Sequence, residues 1–346
     1  MNRIRQVNLL RRLLFAGATL VLALAAAELF LRVFEISPQS GEEVWSSRWL
    51  YFPVRAGAHD WDENLTLGAR VFPPDPRHYH LRQPLTPKPA GVKRVLCLGD
   101  SSTFGSGVRP PEAYPQVLDR LFFDCGLRDR LEVWNFGRPG ATSYQGRLLA
   151  EKIWAVAQPD ALVFYFGAND TVFAPIRPDK DWMATPAWSL RLHRALLRHS
   201  LFYQFLRAVN LAYLEHEALP WFVQAAPRES SRPRVNRADF LANHDALRMH
   251  VEADGGFMLT VIYGSHEGAR AERCGYFDDW RPGPDDVDLP ALFSRELAAG
   301  REPFLDRVHP SPEGHRVLAR AIFEKIVARW PEFACEAEPI LAPADN

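Results

Sequence analysis

The chain has 346 residues, 47% of them apolar, and 41 basic residues against 42 acidic ones leave a net charge of -1. That length allows one large domain or two average ones with a sizeable core, and the charge balance argues against a nucleic-acid partner. Many of the 28 prolines fall between Pro53 and Pro89 and between Pro282 and Pro290. Those stretches read as extended, structured loops, because proline fixes φ and removes a ladder donor.

At the amino terminus, Arg3, Arg5, Arg11 and Arg12 precede a run from Leu13 to Leu31 whose only charge is Glu28. A helix over that run measures roughly 28 Å at 1.5 Å per residue, enough to cross a hydrocarbon core. Glu28 lies near the far end, within reach of the interface. The basic flank before the run and Glu35, Glu42 and Glu43 after it predict a single-pass anchor over residues 1–35. Its amino terminus would be cytoplasmic and the rest of the chain extracytoplasmic, periplasmic or extracellular. A cleaved signal peptide, giving a secreted protein, is the alternative, since Ala25-Ala26-Ala27 offers small residues at a cleavage position. Leu29-Phe30-Leu31 continues the apolar helix past that position and favours the anchor.

Residues 36–91 form a connector rich in proline and aromatics, with Trp45, Trp49, Trp61 and Tyr79 too apolar for a disordered tether. It is expected to lie extended along the domain that follows. From Val92 onward, strand candidates alternate with helices, the signature of an α/β fold with a parallel sheet. The strands are Arg94–Leu98, Glu132–Asn135, Ala161–Phe166, Phe257–Ile262 and a short piece before Asp306. Each is apolar with little alternation, as strands buried on both faces are. One helix spans about Ser143 to Ala157 and ends before Pro159. Another runs from about Arg237 to Ala253 with Gly255 as its stop, and a last one takes Ser311 as cap and ends at Trp330-Pro331. The domain so read covers residues 92–335, with a tail at 336–346 and an insertion at about 171–235. Residues 182–225, rich in Trp, Leu, Phe and Arg, look like a helical hairpin, either a lid or acyl pocket or ordinary packing helices.

Four cysteines are present: Cys97 in an apolar strand, read as a buried free thiol, and Cys125, Cys274 and Cys335 near loops. Their spacing matches no zinc pattern, and one disulfide of unassigned pairing fits an oxidising compartment.

Four segments carry chemistry. Ser101 follows the first strand in a Gly99-Asp100-Ser101 turn, at the strand edge where open α/β sheets bind ligands. A serine hydroxyl needs a base to take its proton, and His309 supplies one, with Asp306 three residues earlier to hold the other ring nitrogen. Three donors can meet a developing oxyanion: the Ser101 amide, the Gly140 amide after the second strand and the Asn169 side chain after the third. Gly137 stands close enough to compete with Gly140 for that role. His315 is expected to face away from the site, whereas His266 is a candidate to line it. The acidic run Asp278, Asp279, Asp285, Asp286 and Asp288 lacks an EF-hand order and reads as a solvated loop. Neither a metal nor a cofactor is expected.

Together, Gly99-Asp100-Ser101 with Thr103 and Gly105, Asn135 with Gly140-Ala141-Thr142, Gly167-Ala168-Asn169-Asp170, and Asp306 through His309 resemble the four blocks of the SGNH, or GDSL-type, hydrolases. The resemblance covers about residues 92–330. It departs from the usual pattern at Ser102, where many members have Leu, and in the long segment 171–235. It implies a flavodoxin-like three-layer α/β/α sandwich and ester hydrolysis through a serine acyl-enzyme. The expected activity is an extracytoplasmic serine esterase that removes an acyl or acetyl group from an envelope glycan. The alternatives are a lipid or lysophospholipid esterase, a glycan O-acyltransferase, and a non-catalytic glycan-binding protein of the same fold.

Overall fold

The computed structural model describes residues 2–34, 36, 43–45, 53–55, 67–68, 83–172, 174, 178–184, 192, 195–196, 199–203, 205–206, 232–267 and 270–335. The chain divides into two compact units, Met1–His59 with Ala184–Ser230, and Asp60–Met183 with Ser231–Asn346.

In the first unit, helix α1 spans Asn2–Val33, and its segment Leu14–Val33 is long and apolar enough to cross a membrane. Glu28 is the acid within that segment. Its carboxylate accepts the Ser200 hydroxyl at 2.8 Å and the amides of Leu201 and Phe202 at 3.0 and 2.9 Å. Arg32, one turn on, donates to the same carboxylate and to the carbonyl of His199, each at 2.7 Å. These bonds satisfy the Glu28 carboxylate within the unit. Most of the hairpin read at 182–225 lies outside the described residues; residues 201–203 and 205–206 are helical. The connector is likewise mostly outside them, apart from the antiparallel pair Glu43–Trp45 and Pro53–Arg55 in this unit.

The second unit is built on five parallel strands: β1 (Lys93–Gly99), β2 (Leu131–Asn135), β3 (Ala161–Tyr165), β4 (Phe257–Ile262) and β5 (Asp286–Asp288). Their spatial order is β5-β4-β3-β1-β2, the flavodoxin-like order read from its far edge. All but one residue of β1 to β4 is buried, which is why these strands appear in the sequence as continuous apolar runs. The helices are α2 (Ser101–Phe104), α3 (Tyr114–Asp124), α4 (Ser143–Ala157), α5 (Arg237–Ala253), α6 (Leu289–Ala298) and α7 (Pro312–Arg329). Helices α3 and α7 pack together in one layer, and α4 and α5 in the other. Thr142, Asn236 and Ser311 cap α4, α5 and α7 with side chains that accept backbone N–H groups.

The fifth strand differs from its expected place. It is Asp286–Asp288, whereas the residues before Asp306 contribute only a bridge between Phe304 and Pro310. An edge strand of three residues pairs on one side only, so the single apolar Val287 suffices to seat it. For the same reason Asp286 is not part of a solvated loop. It is buried, and its carboxylate accepts the Trp280 indole N–H at 2.9 Å and the Gly283 amide at 2.8 Å.

Cys125, which follows α3, is disulfide-bonded to Cys335 beyond α7; Cys97 is a buried thiol and Cys274 a half-buried one. At the amino-terminal end of the sheet, buried Arg94 pairs with Glu132 and donates to the carbonyls of Thr86, Val156 and Ala157. That arrangement leaves the carboxyl-terminal edge of the sheet to carry the loops of interest.

Candidate active site

In a sheet of this order, β1 and β3 are neighbours whose chains leave toward opposite sides, opening a crevice at their carboxyl ends. Ser101 follows β1 there, and Asn169 follows β3. Asp100 caps α2 by accepting the Ser102 amide at 2.9 Å, which leaves Ser101 at the first helical position with its N–H directed away from the helix.

His309 reaches Ser101 from the other end of the sequence. Its Nε2 lies 2.8 Å from Ser101 Oγ, and its Nδ1 lies 2.7 Å from Asp306 Oδ2. The loop that carries the pair is closed by the Phe304–Pro310 bridge and by the Leu305 amide, which donates to His309 O at 2.9 Å. Asp306 Oδ1 accepts the amides of Val308 and His309 at 2.8 and 2.9 Å. Partial burial pushes the Asp306 carboxyl upward, but those two amides and the imidazole outweigh it and hold it below the usual carboxylate range. With Asp306 ionised, Nδ1 carries the proton and Nε2 is left as the acceptor facing the serine hydroxyl.

Residues Arg138-Pro139-Gly140-Ala141 form a tight turn, closed by the Ala141 amide on Arg138 O at 3.0 Å. Proline at the second position and a glycine with φ +75° at the third make it a type II turn. A Cβ added at Gly140 would meet nothing within 4 Å, so its side faces open space. At Gly137 an added Cβ would lie 2.2 Å from Phe104 N, so that glycine lets the β2 loop pass against α2. The two nearby glycines therefore have separate tasks, close packing at Gly137 and turn geometry at Gly140.

Asn169 Nδ2 donates to Asp100 Oδ2 and to Ala141 O, both at 3.1 Å. The amide nitrogen thus lies between the first and second blocks, with both its hydrogens engaged. Meeting an oxyanion requires the bond to Ala141 O to be shared or exchanged.

Tyr263 went unread in the sequence, as did what Asp100 and Asp170 bond. Tyr263, after β4, places its hydroxyl 2.8 Å from Ser102 Oγ and 3.4 Å from Asp100 Oδ1. Its one sequence signal was the hydroxyl of Ser102 itself, in a position where leucine has nothing to bond. Burial raises the Asp100 carboxyl to about 6. Asp170 accepts the Ser143 amide at 3.1 Å and hydroxyl at 2.5 Å, tying the β3 loop to the start of α4, and burial lifts it to about 7.

The two other histidines weighed in the sequence, His315 and His266, hold structure. His315 is buried, accepts the Tyr114 amide at Nδ1 at 3.1 Å, and is driven by burial down to about 3. His266 stacks on Phe304 at 5.3 Å, and its amide donates to Arg307 O at 2.7 Å, so it braces the Asp306–His309 loop. Of the acidic run, Asp279, Asp285 and Asp288 pair with Arg237, Arg329 and Arg273.

Residues 97–317 match the GDSL-like lipase/acylhydrolase family. Among solved structures, the chain is similar to a lipase/acylhydrolase from Enterococcus faecalis, with 16% identity over 69% of this chain and 97% of that one at a TM-score of 0.39. It is also similar to a catalytic mutant of an acetylxylan esterase from Geobacillus stearothermophilus, with 17% identity over 68% and 94% of the two chains at a TM-score of 0.38. No curated protein matches the sequence. The match over residues 97–317 takes in more than half of the chain and all four blocks, and the chain belongs to the GDSL-like lipase/acylhydrolase family: it is a serine ester hydrolase.

Proposed function

We propose that the protein is a membrane-anchored, extracytoplasmic esterase in which Ser101 is the nucleophile, His309 the general base and acid, and Asp306 the group that orients the imidazole. The observation that carries this reading is the continuous relay from Asp306 Oδ2 through both ring nitrogens of His309 to Ser101 Oγ, at 2.7 and 2.8 Å, between residues 208 apart in sequence. Ser101 Oγ attacks the ester carbonyl while its proton passes to His309 Nε2. The resulting oxyanion is met by the N–H groups of Ser101 and Gly140 and by Asn169 Nδ2. Collapse expels the alcohol with the proton held on His309 and leaves the acyl group on Ser101. Water then gives a proton to His309, attacks the acyl-enzyme and releases the acid, returning the proton to Ser101.

The apolar segment Leu14–Val33 and the Cys125–Cys335 disulfide both favour a domain outside the cytoplasm, since disulfides persist in oxidising compartments. From that location the substrate read for the enzyme is an acetyl or acyl ester on an envelope glycan. A second reading, a longer acyl chain on a lipid, is favoured by Val172 and Leu305. These apolar side chains are 50% and 48% exposed on the loops that carry Asn169 and Asp306.

The test is hydrolysis of p-nitrophenyl esters by the detergent-solubilised full chain and by Ser101→Ala. The substitution is expected to lower kcat at least about a thousandfold. Equal activity of the two proteins would refute the nucleophile. A fall in kcat/KM from acetate to longer esters supports the glycan reading and a rise supports the lipid one. Recovery of the chain in the membrane fraction after alkaline washing tests the anchor.

A further inference from the structure

Residues 171–235 leave the sheet after β3 and return before α5, and the two stems run side by side. The Val235 amide donates to Asp170 O at 3.0 Å, Arg234 N to Val172 O at 2.8 Å and Ala174 N to Arg232 O at 2.9 Å. From the returning stem, the Arg234 side chain, 13% exposed, turns toward the second sequence block. Its Nη1 donates to Gly140 O at 2.7 Å. Its Nε and Nη2 donate to Asp179, on the outgoing stem, at 3.1 and 2.9 Å, and Nη2 also meets Gln145 Oε1 at 3.1 Å. Asp179 accepts the Thr142 hydroxyl at 2.7 Å, and Gln145 Oε1 accepts the Thr142 amide at 3.0 Å.

A guanidinium is a rigid fork, and here its two-point bond to Asp179 fixes the fork's orientation. The N–H left pointing outward holds the carbonyl of the one residue in the turn that has the widest backbone freedom. The turn itself has a single closing bond, from Ala141 N to Arg138 O. Without Arg234, the peptide after Gly140 is held by the Ala141 amide alone, and the adjoining peptide that carries the Gly140 N–H, joined to it through a glycine, is less firmly aimed.

We propose that Arg234 is a positioning residue for the oxyanion hole. Its guanidinium, locked by Asp179, grips the Gly140 carbonyl and so aims the Gly140 N–H at the developing charge. The inference rests on the reading of Gly140 as an oxyanion donor. It makes the base of the insertion and the oxyanion side of the centre one hydrogen-bonded unit.

The experiment compares the wild-type chain, Arg234→Ala, Arg234→Lys and Ser101→Ala in p-nitrophenyl acetate hydrolysis, in melting temperature, and in affinity for a trifluoromethyl ketone that mimics the tetrahedral adduct. Direct removal of one oxyanion donor costs about a hundredfold to a thousandfold in kcat, and Arg234→Ala, acting at one remove, is expected to cost about tenfold to a hundredfold. KM for acetate stays within about twofold, and ketone affinity falls by the same factor as kcat/KM. Arg234→Lys keeps one charged donor and recovers part of the loss. A kcat per folded protein that is unchanged in Arg234→Ala overturns the inference, as does a loss confined to KM or one that ketone affinity does not follow. Should Arg234→Ala fail to fold, Arg234→Lys and Asp179→Asn are read against the same criteria. An Arg234→Ala with wild-type kcat beside an inactive Ser101→Ala sinks this inference alone, whereas a Ser101→Ala with wild-type kcat sinks the catalytic reading beneath it.

Discussion

Asp100 and Asp170 each bind a proton more tightly when folded than their ordinary value of 3.8 would give, because burial penalises the carboxylate. A raised folded value means that the stability linked to the proton is fully present below the unfolded value and is lost as pH rises through the folded one. The windows therefore close at about 6 for Asp100 and about 7 for Asp170. Neutral His315, driven down to about 3 from an ordinary 6.5, acts in the opposite sense up to about pH 6.5. The wild-type melting temperature is therefore expected to fall as pH rises above about 6.5. Asp170→Asn, which keeps an acceptor for Ser143 but cannot ionise, should flatten the upper part of that fall. A thermal-shift series in matched buffers measures it, and parallel curves for the two proteins would refute the assignment. At this scale the sequence was legible wherever residue type suggests a role: Ser101, His309, Asp306, Asn169 and Gly140 announce themselves as candidates by chemistry and spacing. Tyr263 and Arg234 do not, because each acts through partners that only folding brings near, at Ser102 and Gly140 respectively. No local pattern marks a tyrosine after the fourth strand or an arginine at the end of an insertion.

Among the elements, the two glycines of the loop after β2 separate packing from conformation. Gly137→Ala drives a Cβ to within 2.2 Å of Phe104 N, a backbone atom that cannot rotate aside. The expected cost is about 1–3 kcal/mol of stability, as for other overpacked sites, with displacement of α2. Gly140→Ala meets open space but strains a residue at φ +75°, at a cost of about 1–2 kcal/mol. The expected signatures differ: Gly137→Ala lowers the denaturant midpoint and activity together, while Gly140→Ala lowers kcat beyond its effect on stability. Chemical denaturation beside steady-state kinetics separates them, and equal behaviour would merge the roles. The same scale shows where reading strands succeeds and where it stops. Strands β1 to β4 are buried on both faces and must be apolar throughout, so their limits appear in the sequence to within a residue or so. Strand β5 is an edge of three residues, two of them aspartates, with a buried carboxylate bonded to Trp280 and Gly283. Nothing in Asp286-Val287-Asp288 distinguishes it from a polar loop until its neighbour β4 is in place.

For the whole molecule, the Cys125–Cys335 bond joins positions 210 residues apart, the end of α3 and the segment beyond α7. Those two helices form one face of the sandwich, so the bridge closes a layer that packing already assembles. Removing a native disulfide typically costs about 2–5 kcal/mol. Paired Cys125→Ser and Cys335→Ser substitution is expected to lower the melting temperature while leaving kcat on p-nitrophenyl acetate close to wild type, since neither cysteine lies at the sheet's catalytic edge. A large loss of kcat with unchanged melting would contradict that separation. The pairing itself was beyond the sequence, because three loop cysteines admit several partners and only the meeting of α3 with α7 selects one.

The stems that meet through Asp170, Val172 and Ala174 on one side and Arg232, Arg234 and Val235 on the other also bear on how such a protein changes over time. They close the base of the insertion, so further chain added beyond them costs closure entropy only logarithmically, about 0.6 kcal/mol for each doubling. Length there can change without moving a strand of the sheet out of register. Selection is thereby offered two separate handles on one enzyme: the bonded stems beside the site, and the chain beyond them, whose length closure constrains only weakly.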